Sequence, residues 1–379
     1  MAEIVRAEVH AYRYPLARAM QTVFGPLESR PAVILRLEDS DGAVGWGEIW
    51  CNFPQPGAEY RARLAAAVIP GALKGLDATR PREAFRTIRA RLHRLSLQAG
   101  EPGPADQIAS GLDIALHDLA ARRAGVPLAT FLGGSLRALR PYASGIDSRL
   151  ASEMIHAARE AGYRAFKLRI GFADANAAAD VGAAAADLKD GELLMVDANQ
   201  AWDRETACRE VDALAEIPLQ WVEEPLPVDD TADNWAAVAN ACAVPIAGGE
   251  NMRSRPEFDA AISGTVFGVL QPDVCKWGGL SECASIARVA IAAGKLYCPH
   301  YLGGGVGLMA SAHLLSAVGG DGLLEVDVND NLLRDRLSGP LLPLDGQTAV
   351  VPDAPGLGYE PDLKSVADMK ALSFDIDVR

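Results

Sequence analysis

Residues 193–199 read LLMVDAN and residues 219–225 read LQWVEEP, two apolar runs too short for a helix, each ending on carboxylates and each leading into a helical stretch. The same pattern recurs outward in both directions. PYASG (141–145) and AFKLRI (165–170) precede the pair, and PIAGGE (245–250), FGVLQPD (267–273), LYCPH (296–300) and LLEVD (323–327) follow it. One polar marker near the end of each run gives Ser144, Lys167, Asp197, Glu223, Glu250, Asp273, His300 and Glu325, at intervals of 23, 30, 26, 27, 23, 27 and 25 residues. Eight evenly spaced strand-plus-helix units predict a TIM-type β/α barrel. A doubly wound open sheet is the alternative, but no G-x-G-x-x-G opens a helix after the first strand.

Upstream of the repeat the pattern differs. Val5, Ala7, Val9 and Ala11 alternate with polar neighbours, Ala32 to Leu37 is rich in β-formers, and Asp41-Gly42 is a turn leading into a third strand, Ala43 to Ile49. From about Ala58 to Gly125 the pattern is helical, punctuated at Pro70-Gly71, Thr79 to Pro81 and Pro102 to Pro104. Strands followed by helices predict an α+β module over residues 1–130, ahead of the barrel over 131–338. The Pro/Gly-rich stretch 339–379 is expected to return to the N-terminal module.

Composition narrows the function. The 379-residue length suggests two or three folding units, and 36 basic against 50 acidic residues give a net charge of −14, a poor match to nucleic-acid backbones. No window approaches the ~18 unbroken apolar residues of a membrane span, and MAEIVRAEVHAYRY has no signal-peptide core. Six scattered cysteines without a C-x-x-C pair read as reduced thiols in a cytoplasmic protein.

In a β/α barrel the C-terminal strand ends converge on the catalytic face. Seven of them carry Lys167, Asp197, Glu223, Glu250, Asp273, His300 and Glu325. Asp197, Glu223 and Glu250 lie on adjacent strands and are hard oxygen donors with no sulfur or imidazole among them, which favours Mg²⁺. Rim pairing with lysines and arginines is the other way to use such carboxylates. The two-residue period places Lys167 with Arg169, and Asp197 with Asn199, on one side of their strands, so Asn199 is a candidate substrate contact. Asp273 beside His300 would fix the imidazole as a general base. His10, His93, His117, His156 and His313 read as ordinary core or surface histidines.

The segments FKLRI, VDANQAW, WVEEPL, GGEN, QPDVCKWGG and CPH, in this order and spacing, resemble the enolase superfamily and, within it, the mandelate racemase subgroup. The resemblance spans nearly the whole chain, with SGLDIALHDLAARRAGVPLATFLGG matching the helix and linker before the barrel and VPDAPGLGYEPD the C-terminal return. It implies a (β/α)7β barrel under an N-terminal α+β capping domain completed by the C-terminal segment. It also implies Mg²⁺ on Asp197, Glu223 and Glu250, an Asp273–His300 dyad, Lys167 as the first lysine of a K-x-K motif, and Glu325 as a partner of the substrate carboxylate. Relatives are commonly homo-oligomers. The muconate-lactonizing branch, with a lysine in place of Asp273 and no histidine, fits less well.

Abstracting a proton α to a carboxylate is feasible only where the developing charge is met, and Mg²⁺, Lys167 and Glu325 would meet it. Racemases of this kind carry a second lysine where Arg169 stands, and arginine is a poor proton acceptor. One good base suits elimination: His300 takes the α-proton and returns it to a leaving β-hydroxyl, while Arg169 holds the substrate. The expectation is a Mg²⁺-dependent acid-sugar dehydratase, with a racemase or epimerase of a 2-hydroxy acid as the alternative and a non-catalytic relative as a third class. By the same resemblance, stretches Ala19 to Pro26 and Ile49 to Pro56 are loops over the barrel mouth, with Trp50, Asn52 and Phe53 as candidate pocket residues. Gly303-Gly304-Gly305 lacks the G-K-[ST] ending of a phosphate-binding loop.

Overall fold

The structure is a computed structural model that describes residues 2–172, 176–339, 341–345 and 348–379. Three antiparallel strands open the chain, β1 (Ile4–Thr22), β2 (Gly25–Asp39) and β3 (Val44–Ile49), followed by helices α1 (Gly57–Leu73), α2 (Pro81–Ala99) and α3 (Pro102–Ala124) and the short α4 (Leu128–Phe131). Helix α3 is buried on nearly every side from Gln107 to Ala121, as expected of a helix between two layers. It lies so close to β3 that a Cβ on Gly47 would stand 2.1 Å from the Gly111 carbonyl oxygen, so the small residue is a condition of the contact.

The stretch expected as a loop over residues 19–26 is instead mostly strand. After an irregularity between Pro15 and Met20, β1 and β2 pair again through Met20–Leu27, Gln21–Pro26 and Thr22–Gly25. Only Val23 and Phe24 form the tip of this extended hairpin. The loop reading rested on the family resemblance, and here backbone pairing restored beyond the irregularity extends the hairpin almost to its tip.

The barrel follows: β4 (Arg140–Asp147), β5 (Ala165–Arg169), β6 (Leu193–Asp197), β7 (Leu219–Glu223), β8 (Ile246–Gly248), β9 (Phe267–Leu270), β10 (Leu296–Tyr297) and β11 (Leu323–Asp327). Their order is β10-β9-β8-β7-β6-β5-β4-β11, and every ladder is parallel. Between them run α5 (Ala151–Glu160), α6 (Ala177–Ala186), α7 (Arg204–Ala213), α8 (Ala232–Ala241), α9 (Arg255–Ser263), α10 (Gly279–Ala292) and α11 (Gly305–Val318), with the short α12 (Leu332–Leu337) after β11. Between the outer strands of the sheet, the Leu323 N–H points at Cys298 Sγ (3.3 Å) and the Tyr301 N–H donates to Glu325 (2.9 Å).

Past the hairpin β12 (Leu342–Asp345) and β13 (Thr348–Val350), the chain returns as β14 (Lys370–Asp377). It pairs with β1 through Ala7–Ile376 and Val9–Phe374, completing the antiparallel sheet β14-β1-β2-β3. Cap and barrel interlock at Asp113 of α3, which accepts from the Ser281 N–H and hydroxyl of α10 at 2.8 and 2.7 Å. Among the described residues no helix is long and apolar enough to cross a membrane.

Candidate active site

The barrel interior explains how the site arises. A closed cluster of buried side chains, Tyr142, Ala165, Met195, Trp221, Ala247, Val269, Cys298 and Leu323, plugs the barrel with one residue from each strand or its immediate end. Two residues further along, where side chains point inward again, stand Ser144, Lys167, Asp197, Glu223, Gly249, Gln271, His300 and Glu325. Above an apolar plug the barrel thus carries a nearly unbroken polar ring. Glu250 falls one position beyond Gly249, whose φ of 136° turns the chain there.

Lys167 is the hub of the ring. Its Nζ lies 2.7 Å from Glu223 Oε1, 2.8 Å from Glu325 Oε1 and 3.5 Å from Asp197 Oδ2. Burial alone would lower its pKa, but Glu223 and Glu325 outweigh burial and hold it well above the ordinary lysine value. Glu223 also accepts from Gln271 (2.7 Å) and Trp221 (3.2 Å). Glu325 accepts from Ser144 and from the Tyr301 N–H. Burial pushes the Glu325 carboxyl upward, yet Lys167 and His300 bring it below its usual value, so in this arrangement it accepts bonds and does not donate them.

On the other side, Asp273 Oδ2 accepts from His300 Nδ1 at 2.7 Å, while its Oδ1 takes the Cys275 N–H at 2.7 Å. That leaves His300 Nε2 facing the cavity, where it meets Glu250 Oε2 at 2.8 Å. Burial would lower the His300 pKa, but Glu250, Glu325 and the bonds to Asp273 and Glu250 raise it well above the imidazole norm. Glu250 is correspondingly held well below the usual carboxylate range, against its burial, by His300 and Lys276. Lys276 Nζ lies 3.1 Å from Glu250 and 2.7 Å from Asn251 Oδ1.

Among the described residues, no three carboxylate, imidazole or thiol groups are already gathered round one point as a finished ligand set. Asp197 and Glu223 face Lys167, and Glu250 faces His300 and Lys276. The donor chemistry still suits a hard divalent cation. Burial, and then the neighbouring charge of Glu223, push the Asp197 carboxyl well above its normal value. Glu224 is raised by burial and by Glu250. Carboxyls such as Asp197 and Glu224, raised by burial and by their acidic neighbours, would be eased by a metal ion's positive charge. The backbone here is locally strained as well: Asn199, Gln200 and Glu224 all have positive φ, 47°, 63° and 37°. Asn199 folds back onto Asp197, donating from its N–H (2.7 Å) and side-chain amide (2.8 Å).

The mouth is a cavity of about 420 Å³, within the range of small-molecule sites. Its floor includes Lys167, Arg169, Asp197, Asn199, Glu250, Lys276, His300 and Glu325. The cap supplies Met20, Thr22, Phe24, Trp50, Phe53 and Pro54, none of them ionisable. Phe24 and Phe53 meet edge to face at 5.4 Å, and Trp50 lies under Lys276 Nζ at 4.9 Å from the ring centroid. Asn52, expected to line the pocket, stands behind this wall: it is buried and its amide donates to the Leu302 carbonyl at 2.6 Å. Arg169 is 8% exposed, lines the cavity, and its Nε has no partner among the described residues; burial lowers its pKa against Asp327, Asp147 and Asp197.

Sequence reasoning marked Ser144 as a strand-end residue but gave it no role, and it missed Gln271, although the two-residue period carried forward from the plug points to both as ring members. It also missed Asp327, which closes β11 two residues after Glu325, and Lys276, Asn251 and Asn329, which lie in turns or beyond strand ends where no period applies. The glycine turn after His300 is already filled by a carboxylate of the cap: Glu48 accepts from the Gly304 N–H and, at 2.9 Å, from the Gly307 N–H. Burial pushes Glu48 to about 7 despite those two bonds.

Residues 149–366 match the enolase C-terminal domain-like family, and residues 1–133 match the N-terminal domain of the mandelate racemase/muconate lactonizing enzymes. A D-galactarolactone cycloisomerase from Agrobacterium fabrum is 31% identical over 94% of this chain and 96% of its own length. A mandelate racemase/muconate lactonizing enzyme from Bordetella bronchiseptica superposes with a TM-score of 0.91 at 46% identity, covering 97% of this chain and 99% of that one. A racemase from Streptomyces coelicolor with bound magnesium gives 0.86 at 30% identity, with 97% and 100% covered. Other relatives are named as acid-sugar dehydratases. Two matched domains in their expected order, on a capped barrel with this polar ring, place the chain in the enolase superfamily, within the mandelate racemase/muconate lactonizing enzyme family.

Proposed function

We propose that the chain dehydrates an acid sugar to a 2-keto-3-deoxy acid. The observation that carries this reading is an asymmetry: His300 is oriented by Asp273 at 2.7 Å, whereas the second basic position is Arg169. An imidazole can take a proton and give it back, but a guanidinium stays charged and holds its partner by a planar fork. His300 Nε2 would remove the α-proton and return it to the departing β-hydroxyl as water forms. Lys167 would meet the charge growing on the substrate carboxylate, with Glu325 keeping that ammonium in place. Arg169 and Asn199 would hold substrate oxygens, and Trp50 and Phe53 would cover the sugar and exclude water.

Asp197, Glu223 and Glu250 would hold Mg²⁺ once they turn from Lys167, His300 and Lys276, and the ion would supply positive charge beside the substrate carboxylate, making the α-proton more acidic. The aromatic cap also suits a ring, so lactones belong among the candidate substrates: the same elimination would expel a ring oxygen in place of water. A reduced cytoplasmic setting accords with the free thiols. A screen of mono- and diacid sugars and their lactones for 2-keto acid formation with Mg²⁺ is expected to find a substrate. Exchange of solvent deuterium at C2 with inversion and no loss of water would replace this reading with racemisation or epimerisation.

A further inference from the structure

A second concave site lies away from the barrel mouth, where the first turn of α2 meets α3, α4 and α10. It is a cleft of about 360 Å³ lined by Arg80, Arg82, Arg86 and Arg288, with Glu83 as its one carboxylate. In a chain of net charge −14, this is a local excess of positive charge. Glu83 is engaged by Arg80 at 3.2 Å, and Arg288 donates to the Leu132 carbonyl. Arg82 and Arg86 have no carboxylate partner among the described residues. The cleft also receives the positive end of the 19-residue helix α2, whose first residue is Pro81.

The second observation lies at the base of the cleft. His117, 1% exposed, lines it; Nδ1 is bonded to the Asp113 carbonyl at 2.8 Å, and Nε2 has no hydrogen-bond partner among the described residues. The ring lines the cleft, and its Nδ1 also lies 3.3 Å from Asp113 Oδ1. Because Nδ1 faces a carbonyl it carries a proton. Nε2 can therefore accept from the hydroxyl of a protonated oxyanion.

We propose that this cleft binds a compact, multiply charged oxyanion, phosphate or a phosphomonoester, gripped by Arg82, Arg86 and Arg288 and touched at its base by His117. Guanidinium forks match tetrahedral oxyanions in geometry and charge, and helix N-termini favour them. Since α2 and α3 belong to the cap and α10 to the barrel, an occupant would tie the two together. The proposal does not depend on which reaction the barrel mouth carries out.

The test is thermal unfolding of the whole protein with inorganic phosphate or glycerol 3-phosphate, at ionic strength held constant with chloride. A saturable rise in Tm is expected with at least one of the two. Preference for the ester would make an esterified metabolite the occupant, and preference for phosphate the free ion. Arg82→Gln/Arg86→Gln on α2, and separately Arg288→Gln on α10, are expected to weaken the apparent affinity at least tenfold, while Lys276→Gln at the barrel mouth leaves it unchanged. These arginines are exposed, so circular dichroism checks that the variants fold. No saturable shift beyond the chloride control would overturn the proposal, as would a response that survives the arginine substitutions or disappears in Lys276→Gln.

Discussion

The floor and the roof of the main cavity are built on opposite principles. The floor is a ring of ionisable groups on strand ends, each fixed by two or more partners: Lys167 by three carboxylates, Glu223 by Lys167, Gln271 and Trp221. The roof is a hairpin tip and a loop whose contacts are aromatic, Phe24 on Phe53 and Trp50 beside both Phe53 and Lys276. Charges that must meet a transition state are held by the rigid scaffold, whereas surfaces that only need to cover a substrate sit on segments that can vary. Floor substitutions should therefore act on kcat, and roof substitutions on KM.

The sharpest way to break this comparison is at the dyad. His300→Asn keeps a side chain able to hydrogen-bond but removes the base, and turnover is expected to fall by about 10³-fold or more, with an unchanged circular dichroism spectrum. Retained activity would remove His300 from the chemistry. Chelation by EDTA should likewise abolish turnover, and added Mg²⁺ should restore it.

Lys167→Met probes how far the floor is also structural. Without the ammonium, Glu223, Glu325 and Asp197 face one another in a buried site, and urea unfolding should show a loss of about 3 kcal/mol or more. A stability close to that of the unsubstituted protein would mean that protonation of the carboxylates offsets the loss.

His313, outside both regions, sharpens the comparison as a control for stability alone. Its Nδ1 accepts from the Ala129 N–H (3.3 Å), its Nε2 faces the Leu357 carbonyl (3.1 Å), and burial pushes its pKa down to about 4 from 6.5. Between pH 6.5 and 4 the unfolded chain therefore binds a proton that the folded chain refuses. Stability contributed by this group is full above the unfolded value and falls on acidification, by about 3 kcal/mol across the window. His313→Asn should flatten that part of the pH–stability curve without giving the active site a new pH dependence. The smallest expected effects are at the roof, where Phe53→Ala or Trp50→Ala should raise KM about tenfold with kcat little changed. A fall in kcat as large as that of a floor substitution would erase the distinction.

The same contrast explains what was legible in the sequence. Floor residues announce themselves because each closes a short apolar run, and eight such runs at near-even spacing are a strong periodic signal. The period weakens where the backbone turns: Gly249 displaces Glu250 from the inward register, and Asn199 and Glu224 have left-handed backbones. The roof has no period to read. Trp50, Asn52 and Phe53 look alike as loop residues, yet Trp50 and Phe53 face the cavity while Asn52 braces Leu302 from behind. The hairpin at residues 19–26 escaped notice because its pairing resumes only after an irregularity, which no local propensity marks.

Glu48 gives the capped architecture a mechanical meaning. Its carboxylate, on the edge strand β3 of the cap sheet, accepts from the amides of Gly304 and Gly307, where the turn after His300 enters α11. Lifting the cap would thus slacken the segment that aims the imidazole. Substrate access that swings only the hairpin tip would leave this anchor intact, whereas wholesale undocking would disarm the enzyme. The two halves are accordingly expected to melt in a single calorimetric transition, and a severed barrel, however well it folds, to be inert.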